Sequence, residues 1–384
     1  DVQPAAPLDA WTTPPFQPRI RGHDLFGRGA ADDKGQVWTH IKAIEACLKT
    51  RGTLPVNVLC LFEGEEEMGS KHLLATIARV GPSLHADVAL ISDMTMRSER
   101  VPAIIYALRG ACSMELEVHG PAHEIHSGHF GGAVANPLHA LSTILSSLHD
   151  STGRVAIQGF YGRVAASDPG ERAYLARVGP AAHELEHAAA APVTHGERGY
   201  SPYERIALRP ALSVNGIRGG YQGPGVKAVI PASAYAKISF RLVPHQDPEE
   251  IEALAHRHFL QHAPPGVRLV VRSGVRARPA LIDRTQPALH AAAQALQQSF
   301  GVQPVFLRSG GTIPVVSALV DDLRIPAPLI GFARPGDRVH SPDERFHLPH
   351  LFRGINTSIR LLAQLGRLPP SSLATRLSEE GTST

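Results

Sequence analysis

Cys112, Met114, Leu116 and Val118 alternate with Ser113, Glu115 and Glu117. A period of two over that length belongs to a strand with one face buried and one in water, as in an antiparallel sheet. Other segments do not alternate: residues 56–62, 86–91 and 328–332 are apolar runs of strand length, interrupted only by Asn57 and Asp87, the pattern of strands covered on both faces. One chain thus encodes two kinds of sheet, and at 384 residues it is longer than a single hydrophobic core usually holds.

The alternating strand opens a self-contained series. Asn136-Pro137 caps a helix carrying Leu138, Leu141, Leu145 and Leu148. After a long Ala-, His- and Glu-rich excursion come strands at 211–217 and 234–243, a helix opened by Asp247-Pro248, and a last strand at 267–271. The order β-α-β-β-α-β predicts a ferredoxin-like α+β unit over residues 111–275. It is inserted into an α/β domain made of residues 1–110 and 276–384. In that domain a helix is predicted over 35–50, with Val37, Ile41, Ile44 and Leu48 on one face. Two more follow, marked by Leu289, Ala293, Leu296 and Phe300 and by Leu351, Ile355, Ile359 and Leu362; the polar tail from 369 to 384 is expected to fray.

Composition removes several classes of function. Lys plus Arg number 38 against 35 Asp plus Glu, a net charge of +3, and the basic residues form no stripe, so a nucleic-acid footprint is not expected. No apolar run reaches the ~20 residues that cross a bilayer. Cys47, Cys60 and Cys112 lie in apolar runs without C-x-x-C spacing, which predicts buried, inert thiols and neither a disulfide framework nor a thiolate zinc site. Only six of the 38 basic residues are Lys, the usage of a G+C-rich bacterial genome. The chain opens at Asp1 without Met, so a preceding segment is expected and any signal peptide would lie in it; few, unpaired cysteines favour the cytosol.

Acids follow the strands. Asp32-Asp33 begins the first helix, run 56–62 leads into Glu65-Glu66-Glu67, run 86–91 into Asp93, and run 328–332 into the loop carrying His340. Taken singly these are helix-start acids favoured by the macrodipole, a solvated charge run, a turn residue and a loop histidine; Lys34 reads as a solvated helix-start residue. Open α/β sheets bind ligands at the carboxyl ends of their strands, which directs all of these segments to one crevice. Asp1, Asp32, Glu66, Glu67 and Asp93 gathered there with His340 would repel one another and suffer desolvation unless cations were present. Oxygen-rich sites with a few imidazoles suit zinc or manganese, and two such ions can share a carboxylate and a water; the reaction that follows is hydrolysis.

Six segments in order carry a resemblance: Asp1-Val-Gln-Pro4, Gly27-Arg-Gly-Ala-Ala-Asp-Asp-Lys-Gly35, Glu63-Gly-Glu-Glu-Glu-Met-Gly-Ser70, Ile91-Ser-Asp93, His126-Ser-Gly128 and His340-Ser-Pro-Asp-Glu344. Together they resemble the M20 family of dinuclear metallopeptidases over almost the whole chain, and within it the dipeptidase branch of carnosine and Cys-Gly dipeptidases. The resemblance implies a mixed-sheet, zinc-peptidase-like catalytic domain with an inserted lid and dimerisation domain. It makes Asp32 the carboxylate bridging two divalent ions, most readily zinc, with manganese and cobalt also accepted. Glu67 and His340 become ligands of one ion and Asp93 of the other. Glu66 becomes the general base, which takes the proton of the activated water and returns it to the leaving nitrogen, while Glu65 is the variable position.

The family motif His-x-Asp-Val-Gln-Pro makes Asp1 the residue orienting a ligating His two positions earlier. That His precedes the given chain, so loss of most activity is expected of the chain as it stands. His126 resembles the lid histidine that reaches into a partner's active site and stabilises the carbonyl oxygen, which implies a homodimer through the lid. Arg241 matches the arginine that clamps a substrate's terminal carboxylate, with Asn215 and Gly310-Gly311-Thr312 supplying further hydrogen bonds. Arg308-Ser309 and Thr312 stand where the dipeptidase branch usually shows Arg-Glu and Ser. The implied function is hydrolysis of a dipeptide amide bond. Deacylation of an N-acyl amino acid, or desuccinylation, is the alternative within the family; a non-catalytic dimeric binding protein or inactive fragment is the alternative outside it.

Overall fold

A computed structural model describes residues 1–369. The chain divides into two compact units. One comprises Asp1–Ala107, Leu281–Arg308 and the chain from Pro314 onward; the other comprises Leu108–Ala280 and Ser309–Ile313.

The second unit contains the β-α-β-β-α-β series: strand Gly110–His119, helix Pro137–Ser146, strands Ala211–Gly219 and Ser233–Leu242, helix Pro248–His262 and strand Arg268–Ala277. The four strands form one antiparallel sheet in which Gly110–His119 lies between Arg268–Ala277 and Ser233–Leu242, and Ala211–Gly219 is an edge. The alternation does what its period dictates. Met114, Leu116 and Val118 turn inward with Ala236, Ile238 and Phe240, and both helices cover that face with Leu141, Ile144, Ile251, Ala255 and Phe259. Each helix begins at a side-chain cap: Asn136 Oδ1 accepts from Leu138 N at 2.9 Å, and Asp247 Oδ1 accepts from Glu249 N and Glu250 N, both at 2.9 Å. Leu116 is fully buried, and its truncation to Ala would cost about 2–5 kcal/mol.

In the first unit the sheet is mixed. Leu329–Ile330 pairs parallel with Ile91–Ser92 and antiparallel with Ala103–Leu108, a wholly buried strand that Val305–Ser309 also pairs. Helix Gly35–Arg51 packs on Leu348–Leu365, which also meets Pro287–Phe300. The buried face of the first helix is not the predicted stripe. Gln36, Thr39, Ala43 and Cys47 face inward and Leu48 is 46% exposed. Close helix contact explains this: a Cβ on Gly354 would lie 2.8 Å from Thr39 Cγ2, so small side chains hold the seam.

Three further expectations are corrected. Run 56–62 is not a strand, and among the described residues none pairs with it. Leu59, Leu61 and Phe62 are 65, 54 and 64% exposed, and Cys60 is exposed while Cys47 and Cys112 are buried. An apolar run without alternation carries no information on which face is covered, so burial there depended on a pairing that the described residues do not supply. Runs 86–91 and 328–332 shorten to the two-residue strands Ile91–Ser92 and Leu329–Ile330. Most of the tail expected to fray, residues 370–384, lies outside the described residues. No described helix is long and apolar enough to cross a membrane.

Candidate metal centre

Asp32 owes its position to the turn before it. Gly29 sits at φ +81°, where a Cβ would also lie 2.5 Å from Val2 Cγ1, so only glycine turns the chain there. Residues Ala30–Lys34 make a wide turn broken at Asp32 (φ −126°, ψ 95°), and the Asp32–Asp33 peptide is cis. Glu344 fixes this loop from the far end of the chain. Its Oε2 accepts from Arg28 Nη1 at 2.7 Å and Gly29 N at 3.0 Å; its Oε1 accepts from Ala31 N at 2.9 Å and Asp32 N at 3.0 Å. The Arg28 and Glu344 side chains are 1 and 0% exposed.

Glu66 and Glu67 lie in the single turn Glu66–Met68, closed by Gly69 at φ +88°. Ser70, buried, ties the loop back by donating from Oγ to Glu63 Oε1 at 2.7 Å. His340, at φ +63°, brings Nε2 to 2.7 Å from Asp32 Oδ2 and 3.4 Å from Glu67 Oε2. Asp32, Glu67 and His340 each offer an atom, and those atoms lie within 4.8 Å of one another. Gln3 Nε2 donates to Glu67 Oε2 at 2.8 Å, and Asp1 Oδ1 accepts from Glu67 N at 3.4 Å.

The electrostatics describe an acid cluster short of positive charge. Burial first, then Asp32, Glu66 and Glu67, push the Asp93 carboxyl up to about 8. Burial and then Glu67 raise Asp32, with His340 opposing. Burial and then Glu67 and Asp32 raise Glu66. Asp33 is raised well above its ordinary value by burial, Asp93 and Asp32, and its Oδ1 is buried without a hydrogen-bond partner. Such a group of carboxylates, with one imidazole among them, matches the donor chemistry of a divalent cation, which would offset both the burial and the repulsion that raise them. Behind Asp93, His40 bridges Ser92 Oγ at 2.7 Å and Ser358 Oγ at 3.0 Å.

The remaining sequence-predicted residues lie in the second unit. His126 is exposed; its Nδ1 accepts from Gly128 N at 3.0 Å and its ring stacks on His129 with centroids 4.4 Å apart. A neutral ring that accepts at Nδ1 carries its proton on Nε2. Asn215 is exposed at a register shift in strand Ala211–Gly219. Arg241 Nη1 donates to Thr312 Oγ1 at 2.9 Å, and Thr312 Oγ1 donates to Arg109 O at 2.7 Å. Thr312 therefore spends its single hydroxyl proton inside the protein. Gly311 N donates to Ser309 Oγ at 3.0 Å, and Gly310 O accepts from Arg109 Nε at 3.2 Å.

Sequence reasoning missed five of these participants. Arg28 and Glu344 stand inside the quoted runs and Gln3 inside the first of them, but their partners are far away along the chain. Asp33 stands beside Asp32 in the second run, but nothing in the local sequence says that its carboxylate is buried. Arg109 follows directly on the apolar strand Ala103–Leu108, so the rule that directed attention to Asp93 would have found it too.

A family model described as peptidase family M20/M25/M40 matches residues 1–364. The Cys-Gly metallodipeptidase of Schizosaccharomyces pombe is 31% identical over 385 residues, covering 96% of this chain and 79% of that protein. The Beta-Ala-His dipeptidase of Rattus norvegicus is 30% identical, covering 96 and 76%. Among solved structures, the M20 family metallo-carboxypeptidase Sso-CP2 of Sulfolobus solfataricus superposes with a TM-score of 0.84 at 29% identity, covering 96% of this chain and 84% of that one.

Proposed function

This chain belongs to the peptidase family M20/M25/M40 and is a metal-dependent dipeptidase, and on that premise we propose that Asp32, Glu67 and His340 hold one divalent ion while Asp32 and Asp93 hold a second. Zinc is the first choice, with manganese or cobalt as substitutes, since carboxylates and one imidazole accept all three. The observation that carries this reading is the meeting of Asp32, Glu67 and His340 within 4.8 Å amid carboxylates raised by burial and then by one another. A bound divalent cation supplies Lewis acidity, bringing the pKa of a water into the neutral range and polarising the scissile carbonyl.

Glu66 accepts the proton of the attacking water on a carboxylate oxygen and delivers it to the departing amide nitrogen, so the carboxylate is regenerated each turnover. Burial and the neighbouring acids raise Glu66, which makes it a better proton acceptor than a solvated glutamate. Asp1 steadies the Glu67 backbone and Gln3 orients the Glu67 carboxylate. His126, with its proton on Nε2, donates to the carbonyl oxygen as negative charge develops. Arg241 pairs with the substrate's terminal carboxylate, beside Asn215 and the loop Gly310-Gly311-Thr312. A homodimer through the second unit is supported by its edge strand Ala211–Gly219, where Val214 and Ile217 are 40 and 63% exposed. The cytosol is the proposed compartment, on the strength of few and unpaired cysteines.

The test is a panel of free dipeptides beside N-acetyl and N-succinyl amino acids, assayed on protein extended upstream of Asp1 to include the ligating His of its motif, with chelator and with zinc, manganese or cobalt added back. Chelator-sensitive turnover of free dipeptides, abolished in Glu66→Ala, is the expected result. Turnover confined to acylated substrates would move the chain to a deacylase, and no turnover with any metal would leave a binding protein.

A further inference from the structure

Arg109 and Arg241 meet on one hydroxyl, that of Thr312. Arg241 is exposed on strand Ser233–Leu242, tethered to Thr312 Oγ1. Arg109 is half-buried, its Nε donating to Gly310 O and its backbone carbonyl accepting from Thr312. A Cβ on Gly310 would lie 2.8 Å from Arg109 Nη2, so glycine there leaves the guanidinium its room. Neither arginine has an ion-pair partner among the described residues. Burial first, and then Arg241, bring Arg109 down to about 10. By contrast, the buried Arg28 and Arg209 of this protein are each neutralised by a glutamate.

Two arginines tied to one Thr312 hydroxyl, Arg241 by its guanidinium and Arg109 by its backbone carbonyl, and neither with an ion-pair partner among the described residues, form an arrangement that an anion would complete. We infer that Arg109 is a second guanidinium of the anion site around Arg241, and that the pair selects substrates ending in a free carboxylate over those ending in an amide. This rests on the dipeptidase reading and extends it to a residue and a specificity. Thr312 is a positioning residue in this arrangement: it accepts from Arg241 and donates to the backbone of Arg109, so it fixes the spacing of the two cations without offering a proton to the substrate. Ser309 Oγ occupies Gly311 N, and Gly310 O is taken by Arg109. Among the groups described here, the cationic donors left for an anion are the two guanidiniums.

The pair predicts opposite effects on binding and on stability, which separates a binding role from a structural one. The full chain is assayed with glycylglycine and with glycylglycine amide, by turnover with metal added and by calorimetric binding in Glu66→Ala protein. Arg109→Gln is expected to weaken glycylglycine about tenfold or more, in KM and in Kd with kcat little changed, and to leave the amide within twofold. Its melting temperature is expected to stay level or rise, because removal relieves a like-charge pair. Arg109→Lys, which keeps the charge but loses the planar fork, is expected to recover part of the preference. An Arg109→Gln protein that keeps the carboxylate-over-amide ratio overturns the inference. So does one that melts lower while Arg109→Lys shows the parent ratio unchanged. The calorimetric arm needs no turnover: a chain that hydrolyses neither compound yet prefers the carboxylate through Arg109 loses the dipeptidase reading and keeps this one.

Discussion

His340 Nε2 and Asp32 Oδ2 lie 2.7 Å apart, joining the loop after Leu329–Ile330 to the turn before helix Gly35–Arg51. The same imidazole nitrogen is 3.4 Å from Glu67, so one cation placed among the three would replace a proton-mediated contact with coordination. Chelated protein is expected to melt lower than protein with zinc, by an amount that grows with metal concentration and reaches about 2.7 kcal/mol at a hundred times Kd. His340→Ala should shift that titration to higher metal concentrations and Asp32→Asn should abolish it, as read by thermal melting across a zinc series. An unchanged titration in both variants would remove these residues from the metal site.

Glu66 is expected to act through its proton alone. Glu66→Gln preserves shape and leaves Asp32, Glu67 and His340 in place. It should lower kcat by a factor of about 10²–10⁴ while metal content, measured by elemental analysis of dialysed protein, stays at the parent value. A variant that loses metal in proportion to activity would make Glu66 a ligand instead.

Arg28 and Glu344 form the costliest pair to break. Glu344→Gln leaves the Arg28 charge buried with no counter-charge, and such a loss is expected to cost about 3–5 kcal/mol in urea denaturation. The neighbouring Asp343 is a built-in control. It accepts from Thr12 N at 2.9 Å and Thr12 Oγ1 at 2.6 Å, but in an exposed position, so Asp343→Asn should cost less than about 1 kcal/mol.

His40 sets a pH dependence. Burial brings its imidazole down to about 4, below the ordinary 6.5, so the unfolded chain binds a proton that the folded chain refuses. Stability is then fully present above about pH 6.5 and declines as the pH falls toward 4, by on the order of 3 kcal/mol from this group. His40→Asn should flatten that part of the stability curve relative to the parent, in denaturation series from pH 7.5 to 4.5. Parallel curves would assign the acid sensitivity elsewhere.

The three thiols should separate by reactivity. Cys60 is exposed, Cys47 is buried, and burial pushes the Cys112 thiol up to about 12. One thiol is expected to react with a maleimide or aromatic disulfide reagent in the folded protein and three after denaturation.

Much of the second unit was legible because alternation at a period of two states which side chains face inward, and because Asn136 and Asp247 announce helix starts chemically. Run 56–62 was misread for the complementary reason: five apolar residues in a row, Val58 to Phe62, imply burial without naming what covers them. The wholly buried strand Ala103–Leu108 was not singled out, although its six apolar residues met the same criterion. In the acid cluster, the approach of Asp32, Glu67 and His340 could be anticipated from acids recurring at strand and helix ends. The grip of Glu344 on Arg28, and of Gln3 on Glu67, could not, because a hydrogen bond between distant positions leaves no local pattern. Nor could the partnership of Arg109 with Arg241, where the informative fact is a missing counter-ion.

Glu344 follows Arg28 by 316 residues, and this ordering dictates when the centre can come into being during synthesis. The second unit is encoded almost entirely by one contiguous stretch, Leu108–Ala280, and its antiparallel neighbours are available to pair as soon as that stretch has left the ribosome. The Asp32 turn has no such independence. Its backbone amides wait for a carboxylate translated 316 residues after Arg28, so a nascent chain exposes its acids on an unshaped loop until Glu344 has left the ribosome.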